Sequence, residues 1–583
     1  MENVAMLPAH LKRYIVDQDY SRYTPVDQEV WRYILRRLKS FLSVHAHPCY
    51  CEGLEKSGIE VDRIPDINVM SEKLEKFGWR AVPVSGFIPP AAFMELQALG
   101  YLPIASDMRT IDHLDYTPAP DIVHEAAGHA PILLDDVFSA YLRSYAQVAR
   151  KAIISREDMD LYEAIRILSD VKEDPNSTPE QIREAEERLE RVSNSISHIS
   201  EASYLSRMNW WTAEYGLIGT LDNPRIFGAG LLSSVGESRT CLDPKVKKIP
   251  LTVDCINYSY DITEPQPQLF VTPSFQHLGD VLEDLAKMMA FRVGGAESLE
   301  KAKLAKTVNT VQLNSGLQIS GKLKDYLVDG TDIAYLQFEG PTQLCYEDRE
   351  LPGHGTAYHS QGFGSPVGFL VDADKCLSQF TDADLKKRGI EVGKNVELKF
   401  KTGALVKGTV IGMTRAPDSK LLLISFKDCT VTRGGQTLFE PSWGTFDMAV
   451  GSSVPSVYGG PADRPAYGET EYFVAKIIPR KQWPPLMQHK HSLYQEVRDI
   501  RDAIREGRMK RDEVTSSRLE KVLEKLESDF PNDWLLRLNI YELSLEVPSD
   551  SWRERVSIEL ENIAQSDADA REQIEEGLKL LAH

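Results

Sequence analysis

The chain has 583 residues, which is too long for one ordinary hydrophobic core, so two to four domains are expected. Its formal net charge of −20 argues against a nucleic-acid-binding protein, which needs a basic face, and against attachment to an anionic membrane. The first residues lack a leader pattern, and no segment reaches the roughly 18 uninterrupted apolar residues of a membrane span, so we expect a cytoplasmic protein with a small-molecule partner.

Residues 20 to 300 have the spacing of amphipathic helices. In one stretch apolar side chains recur at helical spacing, namely at Val30, Tyr33, Ile34, Leu38 and Phe41. Residues 169 to 198 are charged and poor in apolar side chains, which is typical of a solvent-exposed helical excursion. The pattern predicts a mainly α domain over residues 1–302.

Near residue 305 the pattern changes to short alternating apolar runs that are separated by Gly, Asn and Asp. Such runs are typical of strands and hairpins, so we predict a β-rich domain over residues 303–478. Residues 311 to 323 and residues 396 to 410 resemble each other faintly. This similarity indicates an internal duplication.

Helical spacing returns in residues 479–583. Ser492 and Gln495 predict a capping box at the start of a helix. Two apolar faces follow, one formed by Leu493, Val497, Ile500 and Ile504 and the other by Leu519, Leu523, Leu526 and Phe530. We therefore predict a C-terminal helical bundle.

The stretch "YTPAPDIVHEAAGHAPIL" carries two histidines that are five positions apart, His124 and His129. The prolines before Asp121 favour extended backbone, so Asp121 can open a helix with His124 in or near its first turn. On a straight α-helix a spacing of five separates two side chains by about 140°. They would then not share a face as the i, i+4 histidines of a zinc peptidase do.

By themselves the two histidines have two equally good interpretations. They are either structural residues or ligands of a metal that is bound beside the helix start, where Gly128 leaves room for the metal to approach closely. A third ligand decides between these alternatives, and the best candidate is Glu214 in "NWWTAEYGLIG". A buried carboxylate in this aromatic segment needs a cation or strong hydrogen bonds, although a salt-bridged helix residue is the alternative. Two histidines and one carboxylate form the facial triad of non-haem Fe(II) oxygenases.

Several segments in this order resemble the pterin-dependent aromatic amino acid hydroxylases, whose members act on phenylalanine, tyrosine or tryptophan. "YTPAPDIVHEAAGHAPIL" is similar to the family's iron segment, "WWTAEYGLIG" to its third-ligand segment and "FGAGLLSSVGE" to its Gly-Ala-Gly-Leu-Leu-Ser-Ser loop. "VPVSGFIPPAAF" resembles the pterin loop, and "YDITEPQPQLFVTPSF" resembles the segment that closes the site. The resemblance covers about residues 20 to 300.

The resemblance implies roles for the matching positions. It implies Fe(II) ligation by His124, His129 and Glu214. It implies a tetrahydropterin site formed by Gly86, Phe87, Ile88, Phe93 and Glu125, with Phe93 stacked on the ring. It implies substrate binding by Arg109, Thr117, Pro120, Trp210 and Ser233, in which the Arg109 guanidinium grips the amino acid carboxylate. The implied catalytic residues are Glu125, Thr117, Ser233 and Glu237, and Tyr116 and Tyr260 would lie at the edge of the site.

The implied activity is hydroxylation of the ring of a free aromatic L-amino acid by a monooxygenase that uses O2, Fe(II) and tetrahydropterin. Ile262 stands where tyrosine hydroxylases tend to have an acid, and an apolar wall disfavours a phenol, so phenylalanine is expected first and tryptophan second. Pro89 and Pro90 depart from the family's pterin loop and cannot donate backbone hydrogen bonds. A zinc hydrolase or a partner-binding protein remain as alternatives of other classes, and an oligomer is left open.

Overall fold

The computed structural model describes residues 5–86, 88–114, 120–173, 177–260, 265–468, 482–549 and 551–581. Helices dominate up to Ala305, strands run from Val308 to Gly459, and helices return at Pro485. None of the helices within the described ranges combines the length and the apolar character that crossing a membrane requires.

The first part of the chain packs its helices around two small sheets. Strands β1 and β2 pair in parallel, and the second sheet has the strand order β4-β3-β6-β5. The strands are β1 (Arg80–Val84), β2 (Tyr101–Ala105), β3 (Leu217–Gly219), β4 (Pro224–Ile226), β5 (Lys247–Pro250) and β6 (Gln268–Thr272). The helices are α1 (Ala9–Lys12), α2 (Pro25–His45), α3 (Cys49–Lys56), α4 (Ile67–Leu74), α5 (Pro90–Ala98), α6 (Asp136–Ala149), α7 (Arg156–Glu173), α8 (Pro179–Ser195), α9 (Glu201–Asn209), α10 (Ala229–Ser233), α11 (Glu237–Thr240), α12 (Phe275–Ala286), α13 (Ala290–Val293) and α14 (Gly295–Ala305).

Helix α2 is the long amphipathic helix that the apolar spacing predicts. It begins with a capping box between Thr24 and Asp27, and Pro25 stands at the first helical position, where its missing N–H costs nothing. Its predicted apolar face lies in the core, except that Phe41 is only partly buried.

Helices α7 and α8 form the exposed excursion that the charged residues 169 to 198 predict. The two helices pack against each other, and in α8 the single buried side chain is that of Ala185. A hairpin with so little buried apolar surface gains its stability from local contacts such as the capping box between Thr178 and Gln181.

The β-rich part contains two antiparallel sheets. The first has the order β10-β9-β8-β7-β17, with β11 also paired to β9, and the second has the order β12-β13-β14-β15, with β16 also paired to β14. Their elements are β7 (Val308–Gln312), β8 (Leu317–Asp329), β9 (Asp332–Tyr346), β10 (Arg349–Glu350), β11 (Gly362–Pro366), α15 (Asp382–Lys387), β12 (Asn395–Lys399), β13 (Ala404–Arg415), β14 (Leu421–Arg433), β15 (Gln436–Phe439), β16 (Phe446–Ala449), β17 (Ser456–Gly459) and α16 (Arg464–Tyr467).

The two sheets share a topology. Each contains a short strand followed by two long ones, β7-β8-β9 in the first sheet and β12-β13-β14 in the second. The third strand of each then pairs with a short hairpin strand and with one later strand. This correspondence supports the internal duplication that the faint sequence similarity indicates.

The C-terminal part consists of α17 (Pro485–Arg505), α18 (Glu513–Asp529), α19 (Trp534–Ser544), α20 (Arg553–Ser566) and α21 (Ala568–Leu581). Both predicted apolar faces are buried here, apart from the partly buried Phe530. The predicted helix start at Ser492 is wrong, because Pro485 already provides one and the Ser492 hydroxyl donates a hydrogen bond to the His489 carbonyl at 2.7 Å inside the helix.

The C-terminal helices pack directly on α2. Residues of both parts share one hydrophobic core. Arg501 of α17 makes a buried, bidentate ion pair with Glu29 of α2, and the Tyr33 hydroxyl donates to the Gln573 carbonyl of α21. Helix α2 therefore has a second buried face, which its apolar spacing alone does not predict.

Candidate active site

His124 and His129 lie on one π-helical turn, Val123–His129. In a π-helix hydrogen bonds join residue i to residue i+5, so side chains five positions apart lie on the same side of the helix. The two Nε2 atoms are 3.3 Å apart. The prediction that a spacing of five keeps these histidines on different faces is therefore wrong, because it assumed α-helical geometry.

Glu214 completes a compact triangle with the two histidines. Its Oε2 lies 3.3 Å from His124 Nε2 and its Oε1 lies 3.4 Å from His129 Nε2. Separations of 3.3–3.4 Å between the two imidazole nitrogens, and between each of them and a Glu214 oxygen, suit bonds of ~2.0–2.2 Å to one shared metal ion. The donor set fits one divalent transition-metal ion, and two nitrogens with one carboxylate are the ligand type of non-haem Fe(II).

Glu214 sits on a second π-helical turn, Trp210–Glu214, which follows α9. Across this turn the Asn209 amide donates to Glu214 Oε1 at 3.3 Å. Burial raises the pKa of Glu214, but the neighbouring His129 and His124 outweigh burial and hold the pKa well below its usual range. The carboxylate is thus ionised, as a metal ligand must be.

Ser233 sets the protonation pattern of His124. The Ser233 hydroxyl donates to the Ala229 carbonyl at 2.7 Å and lies 3.1 Å from His124 Nδ1. Because the hydroxyl hydrogen is already committed, Nδ1 is the donor in this contact. The lone pair of a neutral His124 is then on Nε2, which faces the triangle.

Helix α10 lies as a wedge between the two ligand-bearing turns. A Cβ on Gly128 would meet the Ala229 carbonyl oxygen at 2.6 Å, and a Cβ on Gly228 would meet the Glu214 carbonyl oxygen at 2.4 Å. Both positions therefore require glycine. The room at Gly128 is filled by the backbone of α10, so the expectation that it serves the approach of a metal is wrong.

Arg109 lies beside the triangle in a buried network. Its guanidinium makes two hydrogen bonds to the Asp121 carboxylate, at 2.7 and 2.8 Å, and donates to the Ser233 carbonyl at 3.2 Å. Asp121 also accepts the His124 N–H at 3.0 Å, which confirms the predicted helix opening. The sequence reasoning treated Asp121 only as a helix opener and missed its role as the counter-ion of Arg109; a carboxylate close to an expected carboxylate-binding arginine was the available signal.

The predicted pterin loop is connected through Asp107 to the π-helical turn Val123–His129, which is called the iron-ligand turn below. The Gly86 N–H donates to the Asp107 carboxylate at 3.1 Å, and the Ile122 N–H donates to the Asp107 carbonyl at 2.8 Å. Gly86 has φ of +58°, which favours glycine. Ile88 and the partly buried Phe93 pack in one small core between α1, β1 and α5.

Glu125 is buried next to the triangle, with Oε2 at 4.0 Å from His129 Nε2. This oxygen has no hydrogen-bond partner among the described residues. Burial raises the pKa of Glu125 to about 8, against the pull of His129 and with the help of Glu214 and Asp121. A buried, unpaired carboxyl oxygen requires a polar partner, and the N–H-rich ring of a pterin offers one.

An aromatic stack forms another side of the site. Trp210 lies between Tyr215 and Tyr260, with ring centroids at 4.5 and 4.2 Å. The Tyr215 hydroxyl donates to Glu237 at 3.3 Å, and burial raises the pKa of Glu237 to about 7. Tyr215 was not singled out in the sequence, although it directly follows Glu214 in an aromatic segment.

Four residues that the resemblance or the specificity argument singles out lie outside the described residues, namely Phe87, Tyr116, Thr117 and Ile262. Pro120 is described and half-buried immediately before Asp121.

Comparison with known proteins gives concordant matches. A sequence model of the biopterin-dependent aromatic amino acid hydroxylases matches residues 13–151 and 191–313. The phenylalanine-4-hydroxylase of Mesorhizobium japonicum is 30% identical over 274 residues, which are 46% of this chain and 83% of that protein. The phenylalanine-4-hydroxylase of Chromobacterium violaceum is 30% identical over 271 residues, which are 46% of this chain and 76% of that protein.

Among solved structures, the chain is similar to phenylalanine hydroxylase of Chromobacterium violaceum with bound iron(III) and the oxidised cofactor 7,8-dihydrobiopterin. That match has 28% identity and a TM-score of 0.37, and it covers 47% of this chain and 86% of the other. The sequence match interrupts at residues 152–190, where the exposed α7–α8 hairpin lies, and stops at residue 313, just inside the β-rich part. The sequence matches, together with the His-His-Glu triangle, establish that the chain belongs to the biopterin-dependent aromatic amino acid hydroxylase family.

Proposed function

We propose that this protein hydroxylates the ring of free L-phenylalanine to give tyrosine, with O2, Fe(II) and tetrahydropterin. The observation that carries the proposal is the triangle of His124, His129 and Glu214, in which the two Nε2 atoms lie 3.3 Å apart and each lies 3.3–3.4 Å from one Glu214 oxygen. The choice of phenylalanine is supported by relatives that are named phenylalanine-4-hydroxylases and are 30% identical. Tryptophan is the second substrate candidate, and tyrosine is the third.

In this proposal His124, His129 and Glu214 hold the iron. Bound Fe(II) and a reduced pterin supply the activation of dioxygen for transfer of one oxygen atom to an aromatic ring. The chain supplies orientation, because Ser233 fixes the ring of His124 and Asp121 fixes the start of its turn. The two histidine side chains are 19% and 4% exposed, so little water reaches the ligand atoms.

Arg109 is the proposed partner of the substrate carboxylate. Its bonds to Asp121 and Ser233 use three of the five N–H donors of a guanidinium within the described structure, which leaves two for a ligand. Asp121 holds the guanidinium in one orientation, so that little side-chain entropy is lost when a substrate binds. Thr117, Pro120, Trp210 and Ser233 complete the proposed substrate pocket.

The proposed pterin site consists of Gly86, Phe87, Ile88, Phe93 and Glu125. The unpaired Glu125 oxygen supports this assignment on the iron side, and the bond between Gly86 and Asp107 holds the loop next to the iron-ligand turn. Phe93 is partly exposed from its small core, which leaves part of its ring free for stacking. Glu125, Thr117, Ser233 and Glu237 are the proposed catalytic residues.

Along the whole chain we propose three domains, at 1–302, 303–478 and 479–583, of which the first carries the chemistry. The net charge of −20 supports a protein without a nucleic-acid partner. We place the enzyme in the cytoplasm and leave its oligomeric state to measurement.

The test is a product assay on protein reconstituted with Fe(II), with phenylalanine, tryptophan and tyrosine as substrates, each with and without tetrahydropterin. We expect tyrosine from phenylalanine only when the pterin is present. His129→Ala should lose both iron and activity, whereas His198→Ala, at a partly exposed contact with Glu157, should keep both. Hydroxylation of tryptophan alone would change the substrate assignment, and three unmodified substrates would contradict the proposal. Tight zinc with peptidase activity would favour a hydrolase.

A further inference from the structure

A second cluster of metal-ligand type lies in the β-rich part, outside the region that the family match covers. It consists of His354, His359 and Asp447, whose candidate ligand atoms all lie within 4.8 Å of one another. His354 Nδ1 and His359 Nε2 are 3.2 Å apart. As in the iron triangle, two histidines five positions apart meet one carboxylate from a distant part of the chain.

The buried Asp447 carboxylate calls for a cation. Asp447 is 5% exposed and His359 is 8% exposed. The hydrogen-bond partners that the described residues offer this carboxylate are neutral groups, the Ser425 hydroxyl, which donates to Oδ1, and the Tyr358 phenol. A buried carboxylate without a positive partner is costly, and metal ligation is one of the arrangements in which proteins tolerate it.

Both histidines are held in place by the backbone of strand β9. The Leu344 N–H donates to the His354 carbonyl at 3.0 Å, and the Thr342 N–H donates to the His359 carbonyl at 3.1 Å. The loop that carries them, between β10 and β11, is thereby anchored at both histidines. The two imidazoles consequently need little rearrangement to share one ion.

The cluster also joins the two related sheets. The histidines belong to the first sheet, whereas Asp447 lies in β16 and pairs with Ser425 of β14 in the second sheet. The loop of the second sheet that corresponds to the histidine loop, residues 440 to 445, reads "EPSWGT" and contains no histidine. The pair of histidines is therefore particular to one repeat and meets the other repeat at Asp447.

We propose that His354, His359 and Asp447 bind a divalent transition-metal ion, Zn²⁺ in the first place, at a site separate from the iron triangle. Two imidazoles and one carboxylate are a known ligand set of Zn²⁺, and such an N/O site generally binds Zn²⁺ more tightly than Fe²⁺. His354 is half-buried and Tyr358 is 54% exposed, so one side of the site is open for a water or a small anion as a further ligand. The ion ties the two sheets together.

The test counts bound metal in full-length protein. Metal-free chains are loaded with Zn²⁺, freed from excess by gel filtration and measured by mass spectrometry of the metal, because Zn²⁺ occupies both sites under these conditions. We expect two ions per wild-type chain, one in His129→Ala, one in His359→Ala, and none in the double variant. His198→Ala, at a partly exposed histidine that lies 3.5 Å from Glu157, is the matched control and should retain two.

Asp447→Asn distinguishes the loss of a metal ligand from misfolding. Asparagine keeps the size of the side chain and an oxygen that accepts from the Ser425 hydroxyl. In the His129→Ala background this change should weaken Zn²⁺ binding at least about 10-fold while the circular dichroism spectrum stays the same. Zn²⁺ should also raise the melting temperature of His129→Ala and leave that of the double variant unchanged. One ion in the wild type and none in His129→Ala would overturn the proposal, whatever the hydroxylase assay gives.

Discussion

At the scale of single residues, the chemistry of the site depends on side chains that do not themselves ligate the metal. Ser233 fixes the tautomer of His124, and Asp121 fixes both Arg109 and the first turn of the iron segment. The resemblance implied a role for Ser233 in the site. Its contact with His124 Nδ1 explains that role, because it orients the imidazole ring. The contact of Asp121 with Arg109, 12 positions away, was established by geometry, since the sequence offered only the closeness of a carboxylate to this arginine as a signal.

Ser233→Ala should lower the affinity for Fe(II) about 10- to 100-fold, because His124 loses the acceptor that orients its ring. Alanine is compatible with α10, so the fold should be retained. The measurement is competition for Fe(II) with a coloured chelator. Ser238→Ala is the control, since within the described residues its buried hydroxyl donates to the local Val235 carbonyl alone. Equal iron affinity in the two variants would show that the Ser233 hydroxyl does not position His124.

Asp121→Asn should destabilise the protein by about 3–5 kcal/mol, because it leaves the buried Arg109 guanidinium without its counter-ion. If Arg109 binds the substrate carboxylate, KM for the amino acid should rise more than kcat falls. Urea unfolding and steady-state kinetics measure the two effects. Asp160→Asn breaks the exposed pair with Arg156 and should cost under about 1 kcal/mol. A variant at position 121 that is as stable as this control would contradict the buried-pair account.

At the scale of elements, two π-helical turns and the short helix α10 create the site. The structure brings the three predicted ligands together as one cluster, but a helical wheel with 3.6 residues per turn placed His124 and His129 on different faces. The π-helical turn is a local departure that no apolar periodicity in this segment indicates. Contact with α10 accompanies it, and glycines at positions 128 and 228 permit that contact.

Gly128→Ala should separate the iron-ligand turn from α10, because the new methyl group would overlap the Ala229 carbonyl oxygen. We expect destabilisation by about 1–3 kcal/mol together with loss of tight iron binding. Gly279→Ala in the interior of α12 is the control, since a Cβ there meets no atom within 4 Å. That change should be neutral or stabilising by about 0.5–1 kcal/mol. The measurements are thermal melting and the iron content of the two variants. Unaltered iron content in Gly128→Ala would contradict the account in which the contact of α10 with Gly128 holds the ligands in place.

At the scale of the whole molecule, the C-terminal helices form part of the structure that supports the site. They cover the second face of α2, where Glu29 and Arg501 are 2% and 3% exposed in their side chains. Arg32 of the same helix pairs with Glu542 of α19 at 2.7 Å. Because α11, which follows the α10 wedge, is also joined to α21 by an ion pair between Arg239 and Glu576, the tail and the catalytic part brace each other.

Arg501→Ala should destabilise the protein by about 3–5 kcal/mol, since it leaves the Glu29 carboxylate buried without its partner. Arg505→Ala removes a neighbouring arginine whose side chain is 44% exposed and pairs with Asp62, and its cost should stay below about 1 kcal/mol. Urea unfolding of the full chain measures both. Equal midpoints would mean that the tail contributes little to the stability of α2.

A chain that ends at residue 478 should be poorly soluble and lose activity, because truncation exposes the α2 face that the tail covers. The measurement is the soluble yield and the specific activity of the truncated chain beside the full one. Full, stable activity of the truncated chain would show that the tail is dispensable for the catalytic part.

The sequence by itself determined the family, the candidate ligand set, the exposed helical excursion, the strands of the β-rich part and the apolar faces of the tail. The elements follow from residue types at short spacing, and the family and the candidate ligands follow from the residue types of several separate motifs. Only the tertiary structure decided the π-helical geometry of the iron segment, the pairing of Arg109 with Asp121, the second buried face of α2 and the meeting of His354 and His359 with Asp447. Each of these depends on contacts between residues whose proximity is set by packing, and spacing along the chain carries no record of packing.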